Sequence, residues 1–180
     1  GMLERAGLVE ARREGRHRFY RALPQALGPV ATALEAMWDD ILSAGMVLYG
    51  IAVDDAHYFK TPGDKTKSTP GHGWVMVRAA SLSAGEILRA LEQGDFYAST
   101  GVTLRDYSVS GSEIKIDIAE DTQSQSKYTV QFIGRWGKIL KEVSINPAVY
   151  GFKGDEFYVR AKVIESNGKL AWTQPVFLSK

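Results

Sequence analysis

The chain has 180 residues, 44% of them apolar and 24% charged, with a net charge of +1 and no cysteine. That length buries a real core, the lack of cysteine excludes disulfides and thiolate metal sites, and the near-neutral charge excludes a global pull toward nucleic acid or anionic membrane. The longest apolar run, Met46 to Val53, falls far short of the roughly 20 residues a spanning helix needs. The opening GMLERAGLVEARREGR has no secretory pattern, so a cytoplasmic location is expected.

Residues 1–22 concentrate charge, with six arginines (Arg5, Arg12, Arg13, Arg16, Arg18 and Arg21) against three glutamates. Residues 7–23, GLVEARREGRHRFYRAL, read as strand, turn, strand, with Gly15 free to take the positive φ that hairpin turns use. From Pro24 the pattern changes. Apolar residues at Leu27, Val30, Leu34, Met37, Trp38, Ile41 and Leu42 recur at helical spacing, predicting an amphipathic helix to about Ser43, stopped by Gly45. This helix is apolar enough to need a partner, and a homodimer through residues 24–43 is expected.

Residues 46–101 suggest alternating strand and helix. MVLYGIAV is continuous and apolar, as in a strand buried on both faces. A loop rich in proline, glycine and lysine follows, then a strand at WVMVRA. SLSAGEILRALEQG offers Ser83 as N-cap, Glu86 as its capping-box partner and Gly94 as the stop. Residues 102–180 switch to period two, with short alternating strands and a strong hairpin signal at Asn167-Gly168. The expected fold is α+β: a partial α/β barrel-like segment followed by a small antiparallel β-sandwich-like domain. The expected units are 1–45, 46–101 and 102–180.

The strings MWDDILSAGMVLYGIAVDDAH, GWVMVRA, EILRALEQGDFYASTG and FYVRAKVIESNGKLAWTQPVF, in this order over about residues 37–177, resemble the C-terminal portion of the PHP (polymerase and histidinol phosphatase) superfamily. The resemblance implies metal-dependent phosphoester hydrolysis by metal-activated water. It also implies that an Asp-x-His motif at a strand end, here Asp55 and His57, binds a divalent ion (Zn, Mn or Fe), with Asp54 beside it in support. Carboxylate oxygen and imidazole nitrogen suit those metals. The family's early His-x-His pair has no counterpart among His17, His57 and His72, so the isolated chain is expected to be incomplete or inactive as an enzyme.

LERAGLVEARREGRHRFYRAL followed by a helix resembles a second family, the ArsR-type winged-helix regulators, over residues 1–36. That resemblance implies a wing hairpin whose arginines (Arg12, Arg13, Arg16, Arg18) contact phosphates of a DNA backbone, then a dimerisation helix. The alternative function is therefore a non-catalytic DNA-associated or dimerising module.

Bland readings stand beside these. Asp-x-His by itself also describes a polar turn, and the arginines a solvated hairpin face. Tyr158, Trp172 and Phe177 sit in alternating strands and are expected in the core. No phosphate-cradling glycine loop and no nucleophile elbow occurs.

Overall fold

The computed structural model describes residues 9–14, 17–22, 24–60, 64, 67, 69–121 and 123–178, with side chains from residue 31 onward. β1 (Val9–Glu14) and β2 (His17–Ala22) form an antiparallel hairpin in which Arg13 lies opposite Arg18. Helix α1 (Pro24–Ser43) follows. It ends where Gly45 takes the left-handed conformation, φ +87°, so its N–H reaches back to the Leu42 carbonyl at 2.9 Å. Both elements fall where the hydrophobic period and the breakers put them.

After an irregular stretch come β3 (Trp74–Val77), α2 (Ala84–Gln93) and β4 (Phe96–Ser99). Ser83 Oγ accepts from Glu86 N at 3.3 Å, and Gly94 closes the helix at φ +72°. The Glu86 carboxylate, expected to complete the capping box, instead pairs with Arg89 at 2.9 Å, one turn along. The remaining strands are β5 (Leu104–Val109), β6 (Glu113–Ile118), β7 (Tyr128–Ile133), β8 (Ile139–Val143), β9 (Ala148–Gly151), β10 (Tyr158–Glu165), β11 (Leu170–Thr173) and β12 (Val176–Phe177). A 3-10 turn, Arg135–Gly137, joins β7 to β8.

Seven strands form one sheet in the order β3-β4-β11-β10-β7-β8, with β12 also on β10, and β5-β6-β9 form another. Every pairing among the described residues is antiparallel. The fold is α+β. β3 and β4, from the stretch expected to be barrel-like, pair antiparallel with each other, and β4 pairs with β11.

The two sheets share one hydrophobic core. Ile114 and Ile116 of β6 and Tyr150 of β9 meet Phe132 of β7 and Val159, Ala161 and Val163 of β10. Period-two alternation then turns Tyr158, Arg160 and Lys162 to the other face of β10, and that face receives α1. The helix docks there through charge. Glu35 bonds Lys162 Nζ at 2.7 Å and Trp172 Nε1 at 3.1 Å. Asp39 takes the Tyr158 hydroxyl and Arg160 Nε at 2.8 Å each, and Arg160 Nη2 at 2.6 Å. Ser43 Oγ accepts from Trp136 N at 2.7 Å. Burial, reinforced by the Asp39 carboxylate, pushes the Tyr158 phenol well up. The Arg160 guanidinium lies over the Trp38 ring at 4.7 Å, and its Nη1 is buried without a partner among the described residues.

The structure departs from one further sequence expectation. Residues 46–53 form no strand; Met46, Val47, Leu48, Ile51 and Val53 are 45–72% exposed. The physical reason is the absence of neighbours: a both-faces-apolar strand needs a strand on each edge and a layer on each side, and the described residues supply only point contacts. The expected Asn-Gly hairpin forms. Gly168 N donates to Glu165 O at 2.9 Å and alone takes a positive φ, +92°, while Asn167 Oδ1 accepts from Lys169 N at 3.0 Å. This is a three-residue loop with glycine in the left-handed position.

Candidate metal site

Residues 46–60 run back from the end of α1 as a strap over the body. Trp38 Nε1 donates to Leu48 O at 2.8 Å. Gly50 is gripped by the Gln174 amide, which accepts from its N–H and donates to its carbonyl, 2.8 Å each way. A side chain at Gly50 would run into the Trp38 ring, 3.0 Å from where a Cβ would stand. The Tyr49 ring packs edge-on against Phe96, centroids 5.9 Å apart.

The third anchor is Asp54. Its carboxylate accepts from three successive backbone N–H groups, those of Gly71 (2.9 Å), His72 and Gly73. Such converging amides favour a negative charge. The Gly71 amide, then Gly73 and His72, hold the carboxyl below its ordinary range against the opposing effect of burial. Gly73 is needed for this approach, because a Cβ there would stand 2.9 Å from Val53 O. Asp54, expected to support a metal ligand, is thus a structural clip between the strap and the 71–73 loop.

From Ile51 to His57 exposure alternates. Ile51, Val53, Asp55 and His57 are exposed, while Ala52, Asp54 and Ala56 are half-buried. Asp55 and His57 are thus exposed, as are the apolar Ile51 and Val53 before them. Asp55 takes the left-handed conformation, φ +50°, which aspartate tolerates better than most residues. His57 Nδ1 lies 2.7 Å from the Asp55 carbonyl oxygen. A carbonyl only accepts, so Nδ1 carries the hydrogen, and in the neutral ring the lone pair is then on Nε2. Metal-binding histidines are oriented in this way. The Asp55 carboxylate stands 4.0 Å from His57 Nδ1, and both side chains are largely in water.

The donor types fit a divalent ion; their number does not complete a site. Among the described residues no group of three or more His, Cys, Asp or Glu is placed to hold a metal. His72 is turned to the Thr69 hydroxyl, 3.3 Å from its Nε2. Of the arginines expected at phosphates, Arg12 and Arg13 lie in β1 and Arg18 in β2, and Arg16 lies outside the described residues. A separate cleft of about 220 Å³, lined by Arg78, Asp95, Asp106 and Tyr107 among others, holds none of the expected site residues. No helix among the described residues is long and apolar enough to cross a membrane.

Sequence reasoning did not single out Asp39, Arg160 or the 71–73 amides. A signal for the first two existed: Asp39 sits within the apolar period of α1, and Arg160 and Lys162 interrupt YVRAKV at every second position. No family model, curated protein or solved structure matches the chain.

Proposed function

We propose that the chain is the C-terminal part of a PHP-like metal-dependent phosphoesterase, incomplete as an isolated chain, with Asp55 and His57 as metal ligands. The observation that carries this reading is the His57 Nδ1 to Asp55 carbonyl contact, which leaves Nε2 for a ligand, with the exposed Asp55 carboxylate 4.0 Å from Nδ1 of the same ring. The ordered resemblance over residues 37–177 supports it, and in this reading residues 46–101 derive from a barrel-like segment. A divalent ion held there (Zn, Mn or Fe) supplies a lowered pKa to a bound water and a clamp for phosphate oxygens. The chain's own part is to present two ligands on a strap fixed by Asp54. Calorimetric titration with Mn²⁺ or Zn²⁺ tests this: heat is expected for the native chain and none for His57→Ala, and equal heats would reject the site.

The second reading, a DNA-associated or dimerising module, is favoured by one observation. Leu34 and Met37 on α1 are 60% and 59% exposed, as on a helix lacking a partner.

A further inference from the structure

We infer that the cleft between the β3–β4 pair and β5 binds a zwitterionic α-amino acid with an apolar side chain, its carboxylate on Arg78 and its ammonium on Asp95 and Asp106. The cleft holds neither Asp55 nor His57, so this site stands whether or not those residues bind metal.

The space lies where the two sheets part. β3 is an outer strand of the larger sheet and β5 an outer strand of the smaller one, and the opening between them measures about 220 Å³. An apolar hole of about 150 Å³ already admits benzene. One wall is apolar. Met76 stands opposite Tyr97 in register, and Leu104 is tied beside them by its N–H, which donates to the Tyr97 hydroxyl at 3.0 Å. Met76 is half-exposed, and its unbranched side chain can follow the shape of a ligand.

A bulge shapes the other wall. Leu104 pairs with Ile118 and Asp106 with Asp117, which makes Arg105 an extra residue in β5. Residues three apart on a regular strand face opposite sides. Leu104 and Tyr107 nevertheless stand across from Ile118 and Ile116, both buried. The extra residue therefore turns Tyr107 back inward and leaves Asp106 exposed at the cleft. Bulges re-aim side chains in this way beside functional sites. Burial pushes the Tyr107 phenol up to about 12, and the Thr173 side chain bonds it, so Tyr107 is a neutral wall.

Charge selects the ligand. Arg105 is taken by Asp117 at 2.9 Å, which leaves the Arg78 guanidinium against two carboxylates, Asp95 and Asp106. Their contacts are loose: Arg78 Nη2 lies 3.4 Å from Asp106, and Nε lies 3.8 Å from Asp95, beyond hydrogen-bond reach. The one close bond from Nη2 goes to the Tyr107 carbonyl, and Nε and Nη1 make no hydrogen bond among the described residues. Exposed pairs of this kind contribute little to stability, so a ligand exchanges them at small cost. A guanidinium takes a carboxylate through parallel N–H bonds, and the two acids complement an ammonium. A pure anion would meet the excess of acid, and a pure cation would meet the guanidinium. A zwitterion satisfies both, and the Met76–Tyr97–Leu104 wall takes its apolar side chain.

The test titrates the intact protein with L-leucine, read from backbone amide shifts. Saturable shifts are expected at Arg78, Asp95, Asp106 and Tyr107. 4-Methylpentanoate and isoamylamine, which lack leucine's amino and carboxylate group respectively, should each bind about tenfold more weakly, the cost of one lost charge-assisted bond. Arg78→Met and Asp106→Asn should weaken leucine by a similar factor while leaving near-UV circular dichroism unchanged. No saturable shift in the native chain would overturn the inference. So would leucine binding that survives both variants, because it would lie elsewhere. Equal binding of leucine and either single-charge analogue would also overturn it, and that comparison needs no variant to fold.

Discussion

The β-rich body and the strap have similar hydrophobicity and opposite fates. Ile114, Ile116, Phe132 and Val163 are wholly buried between two sheets, whereas Ile51 and Val53 of the strap stand mostly in water. The body strands pair along their edges and share a core, so burial is continuous. The strap and the helix before it are held at points, among them two charge pairs, the Trp38 indole, the Gln174 amide and the Asp54 clip. Apolar composition states what a segment can bury. Neighbours on both edges decide whether it does.

The largest test of this contrast is the buried pair. Asp39→Ala leaves the Arg160 guanidinium buried and unpaired, and a loss of about 3–5 kcal/mol is expected in urea unfolding. The double change Asp39→Leu with Arg160→Met should recover most of it, because apolar replacement of both partners is often neutral. A silent Asp39→Ala would mean that charge does not hold the helix. Next comes Gly73→Ala, whose new Cβ must push the Val53 backbone away. It is expected to cost about 1–3 kcal/mol by overpacking and to free the Gly71–Gly73 amides to hydrogen exchange.

Smaller still is a matched pair of methyl deletions. Ile116→Val in the core should cost about 0.5–1.5 kcal/mol, and Ile51→Val on the strap should stay within about 0.5 kcal/mol of zero. Equal losses would erase the distinction between the regions. The smallest effect is set by pH. The Asp54 carboxyl, lowered chiefly by the Gly71 amide, stabilises the clip above its unfolded pKa, near about 4, and loses that contribution as pH falls through its lower folded value. Protection of the Gly71–Gly73 amides should therefore fall in acid while β7 and β10 stay protected. Simultaneous loss in both would make the strap part of the body's cooperative unit.

Much of the fold was legible because local rules decided it. Pro24 and Gly45 bound α1, Ser83 and Gly94 bound α2, and period two marked the body strands. The strap was misread because a continuous apolar run specifies a preference for burial and carries no information about whether neighbours exist. The charged docking of α1 was hidden for a related reason. Glu35, Asp39, Arg160 and Lys162 are each ordinary surface residues in sequence, and only the pairing of a helix turn with a strand repeat makes them a set, with Asp39 and Arg160 buried and Glu35 and Lys162 half-buried. At the candidate site, Asp55 and His57 were found by residue type. The turn that sets the His57 tautomer depends on a positive φ at Asp55, which sequence does not reveal.

Glu35, Asp39 and Ser43 recur every fourth residue along α1, facing Lys162, Arg160 and the Trp136 amide in turn. Such a row has teeth. Sliding the helix by one turn, about 5.4 Å, would set Glu35 opposite Arg160 and strand Lys162 in one direction, or set Ser43 opposite Arg160 and take it from the Trp136 amide in the other, and either would drag Gly50 off the Trp38 ring. Partial matches at wrong settings are therefore penalised by the neighbouring tooth. The helix is indexed to a single notch, and the strap that follows it, carrying Asp55 and His57, inherits that setting.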